Sequence, residues 1–470
     1  MLFSVALLAI PVAAEAQEVI IRVGLSSSTR FEVEICRGAY EVVDLATGNV
    51  QFRAQQGSRW VVALSPLGAV EVAKYGEGPP LAVRGPVLFR RLPSAGSAAL
   101  FSLGGRRYRG DLKVEKRAEP VLLAVNLVEL EEYLYGVVGE EMGYSAPPEA
   151  LKAQAVASRT YALARRASQA ASAYDVTTGQ DTQVYVGFEA ETKPGFERVK
   201  SAVDATQGLV MYHQGRLIEA YFHSNAGGHT ENSENVWQVA QPYLRGVPSP
   251  WDEYAWGISQ DPQGWPAYTY QWTKTLTREE LMKRVADWNA ARTDKPEQQI
   301  SVGEIIDLVP WRLGASGTPT ISGRITKLII RGRNAQVELR GEQARSLLGL
   351  RSTLFEMSFD SQVFVLTGRG TLAESRVTEG WLATSWDRAA PANGNGTTYW
   401  VLGAGGVRRL SKVFTVVEFR GKGYGHGVGM SQWGARGMAA QGASFRDILE
   451  HYYNQGRKDG GLKIAAYSGG

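Results

Sequence analysis

Residues Tyr133–Ala164 read YLYGVVGEEMGYSAPPEALKAQAVASRTYALA. The Ala-rich part predicts a helix from near Ser145 to about Arg166. Ser145 is a good N-cap type, Pro147 and Pro148 suit a first turn, and Glu149 favours the positive helix end. Lys152, Val156 and Arg159 fall on one face of that helix by i, i+4, i+7 spacing. Two adjacent carboxylates, Glu140 and Glu141, precede the helix in what reads as a turn. The chain carries only five His and one Cys, so any enzymatic reading leans on carboxylates. A carboxylate in a turn beside a rigid helix is open to tuning for acid–base work. Burial of Glu141 against Met142, Tyr144 and the Ala-rich helix would raise its pKa and keep it protonated.

Upstream, residues 18–118 read as a β-rich domain. VIIRVGL, FEVEIC, YEVVDL, VQFRAQ and RWVVAL are short runs with the alternation of half-buried strands, and residues 46–49 are a turn candidate. Cys36 falls in one of these strands and reads as a small hydrophobe rather than a reactive thiol. It has no cysteine partner, so neither an internal disulfide nor a cysteine-based zinc site is expected. Residues 1–17 look like a signal peptide: an apolar run, then Ala14-Glu15-Ala16 as a cleavage site, although no positively charged start precedes it. That run is too short for a stable membrane span, and no later stretch reaches 18 apolar residues.

Downstream, residues 119–455 mix helix and strand. Residues 249–300 hold five of the 12 Trp, among them Trp265, and read as a Trp-rich insertion with a helix over 278–292. Its aromatic faces suit sugar rings, but a packed aromatic insertion is the favoured reading. ITKLIIRG and NAQVELRG predict a hairpin. Residues 370–413 are polar and rich in Gly and Asn, the composition of a surface loop region. Residues 444–453 predict a closing helix, and 456–470 form a C-terminal tail. The fold class expected is therefore α+β, a β-rich N-terminal domain followed by a larger α/β domain. Charge decides little: the net +4 suits an anionic polymer partner. Without a basic cluster interleaved with aromatics, nucleic acid is not expected as a partner.

Two further stretches carry chemistry. His223-Ser-Asn-Ala-Gly-Gly-His229-Thr230 follows a strand. Ser224 lacks a nucleophile elbow, and His223 and His229, with Glu231 or Glu234, are a weak zinc pattern. In Gly421 to Ala435 (GKGYGHGVGMSQWGA) five Gly alternate with other residues from 421 to 429, so its backbone is free to turn unusually. It would present His426, Ser431, Gln432 and Trp433 to a ligand. It lacks the spacing of a phosphate loop.

Taken together, Leu134–Met142, Ala150–Ala162, the His223–Trp237 segment, Ser322-Gly323-Arg324 and Gly425–Ala435 resemble the SpoIID/LytB family, named for stage II sporulation protein D and the amidase enhancer. The opening strand Ile21–Leu25 is similar to the usual start of these proteins. The resemblance implies an exported protein of the periplasm or cell wall acting on peptidoglycan glycan strands. It implies a lytic transglycosylase that cleaves MurNAc–GlcNAc bonds of strands without stem peptides and leaves a 1,6-anhydro sugar. The family's essential acid is the Glu before Met, here Glu141, in the catalytic 119–455 domain. One carboxylate suffices, because the attacking C6 hydroxyl belongs to the substrate; this departs from the two-carboxylate hydrolases. Lys152, Arg159, His223, His426 and Gln432 are expected to line the groove, with no cofactor and no metal. The sequence departs from the family at Gly143, where Pro is often found. The family name also leaves open a non-catalytic modulator that binds glycan and stimulates an amidase.

Overall fold

The computed structural model describes residues 18–93, 99–258, 269–366, 372–376, 382–384, 389–391, 398–403, 406–411 and 413–468. The signal-like 1–17 and Trp265 lie outside the described residues. The chain divides into two units. The first takes the residues up to Tyr144, then Ser158–Val210 and the end from Ala465; the second takes Ser145–Ala157 and Met211–Ile464.

The first unit is built on two antiparallel sheets whose strands fall where alternation predicts them. One runs, in spatial order, Val176–Thr177, Ile20–Ser28, Leu122–Glu129, Asp111–Lys116, Val87–Arg91, Ala39–Asp44 and Asn49–Gln55, with only the first pairing parallel. The other runs Arg106–Tyr108, Leu100–Leu103, Arg30–Arg37, Arg59–Leu64, Val70–Lys74 and Glu77–Val83. Aromatic rings join them: Phe52 lies 5.2 Å from Trp60, and Tyr40 meets Phe101 edge-on at 6.3 Å. The composition change near residue 119 is not a break in this fold. Leu122–Glu129 pairs with both Ile20–Ser28 and Asp111–Lys116, so the sheet continues across it.

Glu129 then caps helix α1 (Leu130–Tyr135), its carboxylate accepting the N–H groups of Glu131 and Glu132. Helix α2 (Val138–Met142) is a single turn. The long α3 (Pro148–Ser168) begins at the second proline rather than at Ser145, because a residue before proline disfavours helical backbone. The Pro147 carbonyl takes the first helical N–H groups, those of Ala150 and Leu151. The division between units runs through α3. Helix α4 (Phe196–Asp204) follows.

The second unit holds α5 (Ser233–Trp237), α6 (Arg278–Ala290), α7 (Gly341–Leu348), α8 (Gln432–Ala440) and α9 (Phe445–Asn454). Its core gathers Leu276, Leu281, Leu308, Leu328, Ile330, Leu347, Phe355 and Phe419. Ser444 and Asp447 form a capping box at α9. The predicted hairpin is present as Lys327–Gly332 with Gln336–Arg340. The Trp-rich stretch is not a detachable insertion. Gln271–Thr277 pairs along its length with Val416–Lys422. Trp272 enters the core, and its indole N–H donates to the Gly423 carbonyl at 2.9 Å. The 370–413 stretch is likewise more than loop. Its described residues include the hairpin Thr398–Gly403 with Gly406–Ser411, and Leu372–Arg376 pairs with Gln362–Leu366. No helix among the described residues is long and apolar enough to cross a membrane.

Candidate active site

In the first unit the two carboxylates stand on α2, not in an open turn, and they are used differently. Glu140 Oε1 accepts from the Tyr144 hydroxyl at 2.7 Å and from Lys193 Nζ at 2.6 Å. Glu141 is half-buried, and its Oε1 accepts the Val184 N–H at 2.7 Å. A backbone N–H always donates, so Oε1 is the standing acceptor and a proton on this carboxyl sits on Oε2. Met142 and Tyr144, near it in sequence, are buried. Gly143 ends the turn at φ 84°. A proline, with φ locked near −65°, could not take that conformation, which accounts for glycine at this position.

Val184 belongs to a strap that no sequence signal marked. The Tyr133 hydroxyl donates to Gln183 Oε1 at 3.0 Å, and the Tyr185 hydroxyl donates to Asn126 Oδ1 at 2.8 Å. Both tyrosines and Gln183 are buried. Burial first, and then the Glu141 carboxylate, push the Tyr133 phenol well above its usual range, so it stays a donor. Gln183 Nε2 is buried with no hydrogen-bond partner among the described residues.

The α3 pair separates. Lys152 remains 29% exposed and pairs with Glu149 at 2.7 Å. Arg159 is fully buried. Its Nε and Nη2 hold the two oxygens of Glu131 at 2.8 and 2.6 Å, and its Nη1 donates to the Leu209 carbonyl at 3.1 Å. No part of the Arg159 side chain is exposed, so a groove-lining role does not fit it; it holds α3 to α1 and to the Leu209 segment.

In the second unit, Phe222–His223 pairs in parallel with Met430–Ser431, which brings the His223 segment beside the glycine-rich loop. His223 is buried and shares its Nδ1 with the Val428 carbonyl at 3.1 Å. A carbonyl only accepts, so Nδ1 carries the proton. Burial and the neighbouring His426 pull the His223 pKa well below its usual value. His426 spends both nitrogens on backbone: Nε2 donates to the Phe222 carbonyl at 3.0 Å, and Nδ1 accepts the Val428 N–H at 3.1 Å. Burial, with Arg345 and Arg324 behind it, lowers its pKa to about 3. Gln432 opens α8, buried, and its Nε2 lies 3.4 Å from Gln154 Oε1. Trp433, expected at the surface, is fully buried. The loop thus folds inward, and a Cβ at Gly427 (φ 83°) would run into the buried Arg324 guanidinium.

A hub that the sequence did not reveal lies here. Asp252 is fully buried; its Oδ1 accepts the Ser431 hydroxyl at 2.5 Å and its Oδ2 the Gly228 N–H at 2.9 Å. Ser431 also caps α8 through the Gly434 N–H. Burial raises the Asp252 pKa to about 6 against these hydrogen bonds. The zinc pattern finds no support in the side chains. Glu231 is committed to Asn235 and Ser322, Glu234 to Arg245, and the His229 Nδ1 lies 2.7 Å from the Thr230 carbonyl. No group of three metal-ligating residues occurs among the described residues.

The family described as Stage II sporulation protein matches residues 119–213, and a domain of unknown function matches 255–371. Stage II sporulation protein D of Bacillus amyloliquefaciens is 30% identical over 341 residues, 70% of this chain and 74% of that protein. Its counterpart in Bacillus subtilis (strain 168) is 30% identical over 345 residues, with the same shares. The amidase enhancer of Bacillus subtilis is 30% identical over 329 residues, 68% of this chain but 39% of the enhancer. With this identity spread over most of two sporulation proteins, and with the Glu141, His223 and glycine-rich motifs in order, the chain belongs to the SpoIID/LytB family.

Proposed function

We propose that this protein is an exported lytic transglycosylase that cleaves MurNAc–GlcNAc bonds of peptidoglycan glycan strands, with Glu141 as its single acid and base. The observation that carries the reading is the half-buried Glu141 carboxyl, one oxygen of which is fixed by the Val184 N–H. In the first step the proton on Oε2 passes to the glycosidic oxygen as the bond to C1 breaks. The resulting carboxylate then takes the proton of the C6 hydroxyl as that oxygen bonds C1, giving the 1,6-anhydro product and restoring the acid. No water enters. Lys152, half-exposed beside Glu149, is the remaining cation of the expected groove.

The test is Glu141→Gln. It removes the transferable proton while keeping an acceptor for Val184, so release of anhydromuropeptides from denuded glycan should fall at least about 100-fold. Wild-type release by this variant overturns the assignment. The likeness to an amidase enhancer favours a second reading, in which the protein binds glycan and stimulates an amidase. Purified protein with glycan alone separates the two: solubilised sugar without a partner enzyme excludes a pure modulator.

A further inference from the structure

Three rings from three separate segments of the second unit meet at a half-buried position. Tyr221 precedes the His223 strand, Trp237 closes α5, and His426 sits in the glycine-rich loop. Their centroids lie 4.5 Å (Tyr221–Trp237), 4.9 Å (Trp237–His426) and 6.4 Å (Tyr221–His426) apart. None belongs to the core around Trp272. Trp251, Trp272 and Trp288 all donate their indole N–H to protein oxygens. The Trp237 indole has no such bond among the described residues, and it is not buried.

The turn that presents Trp237 is fixed. Gln238 is held at φ 64°, uncommon for a residue with a side chain. The Ser233 hydroxyl donates to the Val239 carbonyl at 2.8 Å and accepts the Gln241 N–H at 2.9 Å.

The polar atoms define what such a site takes. With both nitrogens of His426 bound to backbone, only its ring surface is left to offer. Its neighbour His223, 5.3 Å away by ring centroid, is different. Its Nδ1 proton faces the Val428 carbonyl, so Nε2 is a bare acceptor, and that atom is buried with no partner among the described residues. A lone buried acceptor has lost its water without gaining a partner until a donor reaches it. Flat aromatic walls, one neutral acceptor and one indole donor suit an uncharged, hydroxylated ring.

We propose that Tyr221, Trp237 and His426 form a sugar-binding platform that stacks a pyranose of an N-acetylated glycan, with His223 Nε2 accepting a hydroxyl or amide proton from it. The identity of the sugar rests on the glycan reading above; the platform itself does not depend on Glu141.

The probe is chito-tetraose added to the full chain, with binding read by tryptophan fluorescence and by calorimetry. The wild type should bind the tetraose. Trp237→Ala should bind about tenfold or more weakly, while Trp237→Phe, which keeps a ring, recovers most of the loss and guards against misfolding. The His223 Nε2 resonance should move on addition of tetraose. Failure of the wild type to bind, or full affinity in a folded Trp237→Ala protein, overturns the platform. The two readings fail separately. If Glu141→Gln retains cleavage while Trp237→Ala loses binding, the transglycosylase assignment falls and the platform stands. The reverse pattern leaves catalysis at Glu141 and removes the platform.

Discussion

The carboxylate at 141 and the imidazole at 426 are both half-buried polar groups flagged by residue type, yet their surroundings treat them in opposite ways. Glu141 takes a backbone N–H on one oxygen and stands on a one-turn helix with part of its surface open. His426 has both nitrogens tied to backbone, one to the Phe222 carbonyl and one to the Val428 N–H, and burial drives it neutral. The first arrangement holds one carboxyl oxygen by a backbone N–H and leaves part of the side chain exposed. The second leaves a flat ring and uses the polar atoms to hold a glycine-rich loop in shape. Residue chemistry alone therefore does not say which polar group is available. What decides is whether the local backbone has already claimed it.

The same contrast appears along α3, and there it is open to a large effect. Arg159 is wholly buried against Glu131, whereas Lys152 lies partly in water beside Glu149. Removing one member of a buried pair strands the other, so Arg159→Ala should destabilise the protein by about 3–5 kcal/mol. Lys152→Ala should cost under about 0.5 kcal/mol, as for other exposed pairs. Chemical denaturation of both variants checks this. Equal losses would erase the distinction between the buried and the open end of the helix face.

Asp252 sharpens the comparison from the side of the glycine-rich loop. Its folded pKa of about 6 lies above the unfolded value of roughly 3.9. The stability linked to this group is therefore fully present below about pH 3.9 and is lost as pH rises through about 6, an effect of roughly 1–3 kcal/mol. Asp252→Asn does not titrate and turns an amide donor towards either the Ser431 hydroxyl or the Gly228 N–H. It should be less stable than wild type by an amount that is largest near pH 4 and narrows towards pH 7. Denaturation midpoints across that range test the sign, and a gap that widens with rising pH would refute the account.

Much of the first unit was legible because its strands alternate along the sequence with a period the core enforces. Helix α9 announced itself through Ser444, and the Lys327–Arg340 hairpin through two β-prone runs. What escaped depended on distance in sequence. Asp252 sits in an ordinary Ser-Pro-Trp-Asp turn, and its partners lie 24 and 179 residues away. Gln183 meets Tyr133 across 50 residues. Composition misled at 370–413, where polar residues and glycines look like loop although the described residues 398–403 and 406–411 pair as a hairpin. At Trp433, a glycine-rich neighbourhood suggested exposure, whereas glycine here permits close packing.

The smallest effect expected bears most directly on Glu141. The Tyr133 hydroxyl holds Gln183, and the next residue's N–H holds the Glu141 carboxyl. Tyr133→Phe deletes one hydrogen bond in a buried pocket, at a cost of about 1 kcal/mol in stability. If the strap does more than support the fold, relaxing it lets the Val184 N–H drift from Oε1 and loosens the alignment of the proton on Oε2 with the glycosidic oxygen. Alignment losses of this kind act on turnover, so kcat should fall about three- to tenfold with KM nearly unchanged. A variant that loses the expected stability but turns over glycan at the wild-type rate would show that the strap only supports α2. The Tyr133–Gln183 bond would then contribute nothing to the placement of Glu141 beyond the stability of the fold around α2.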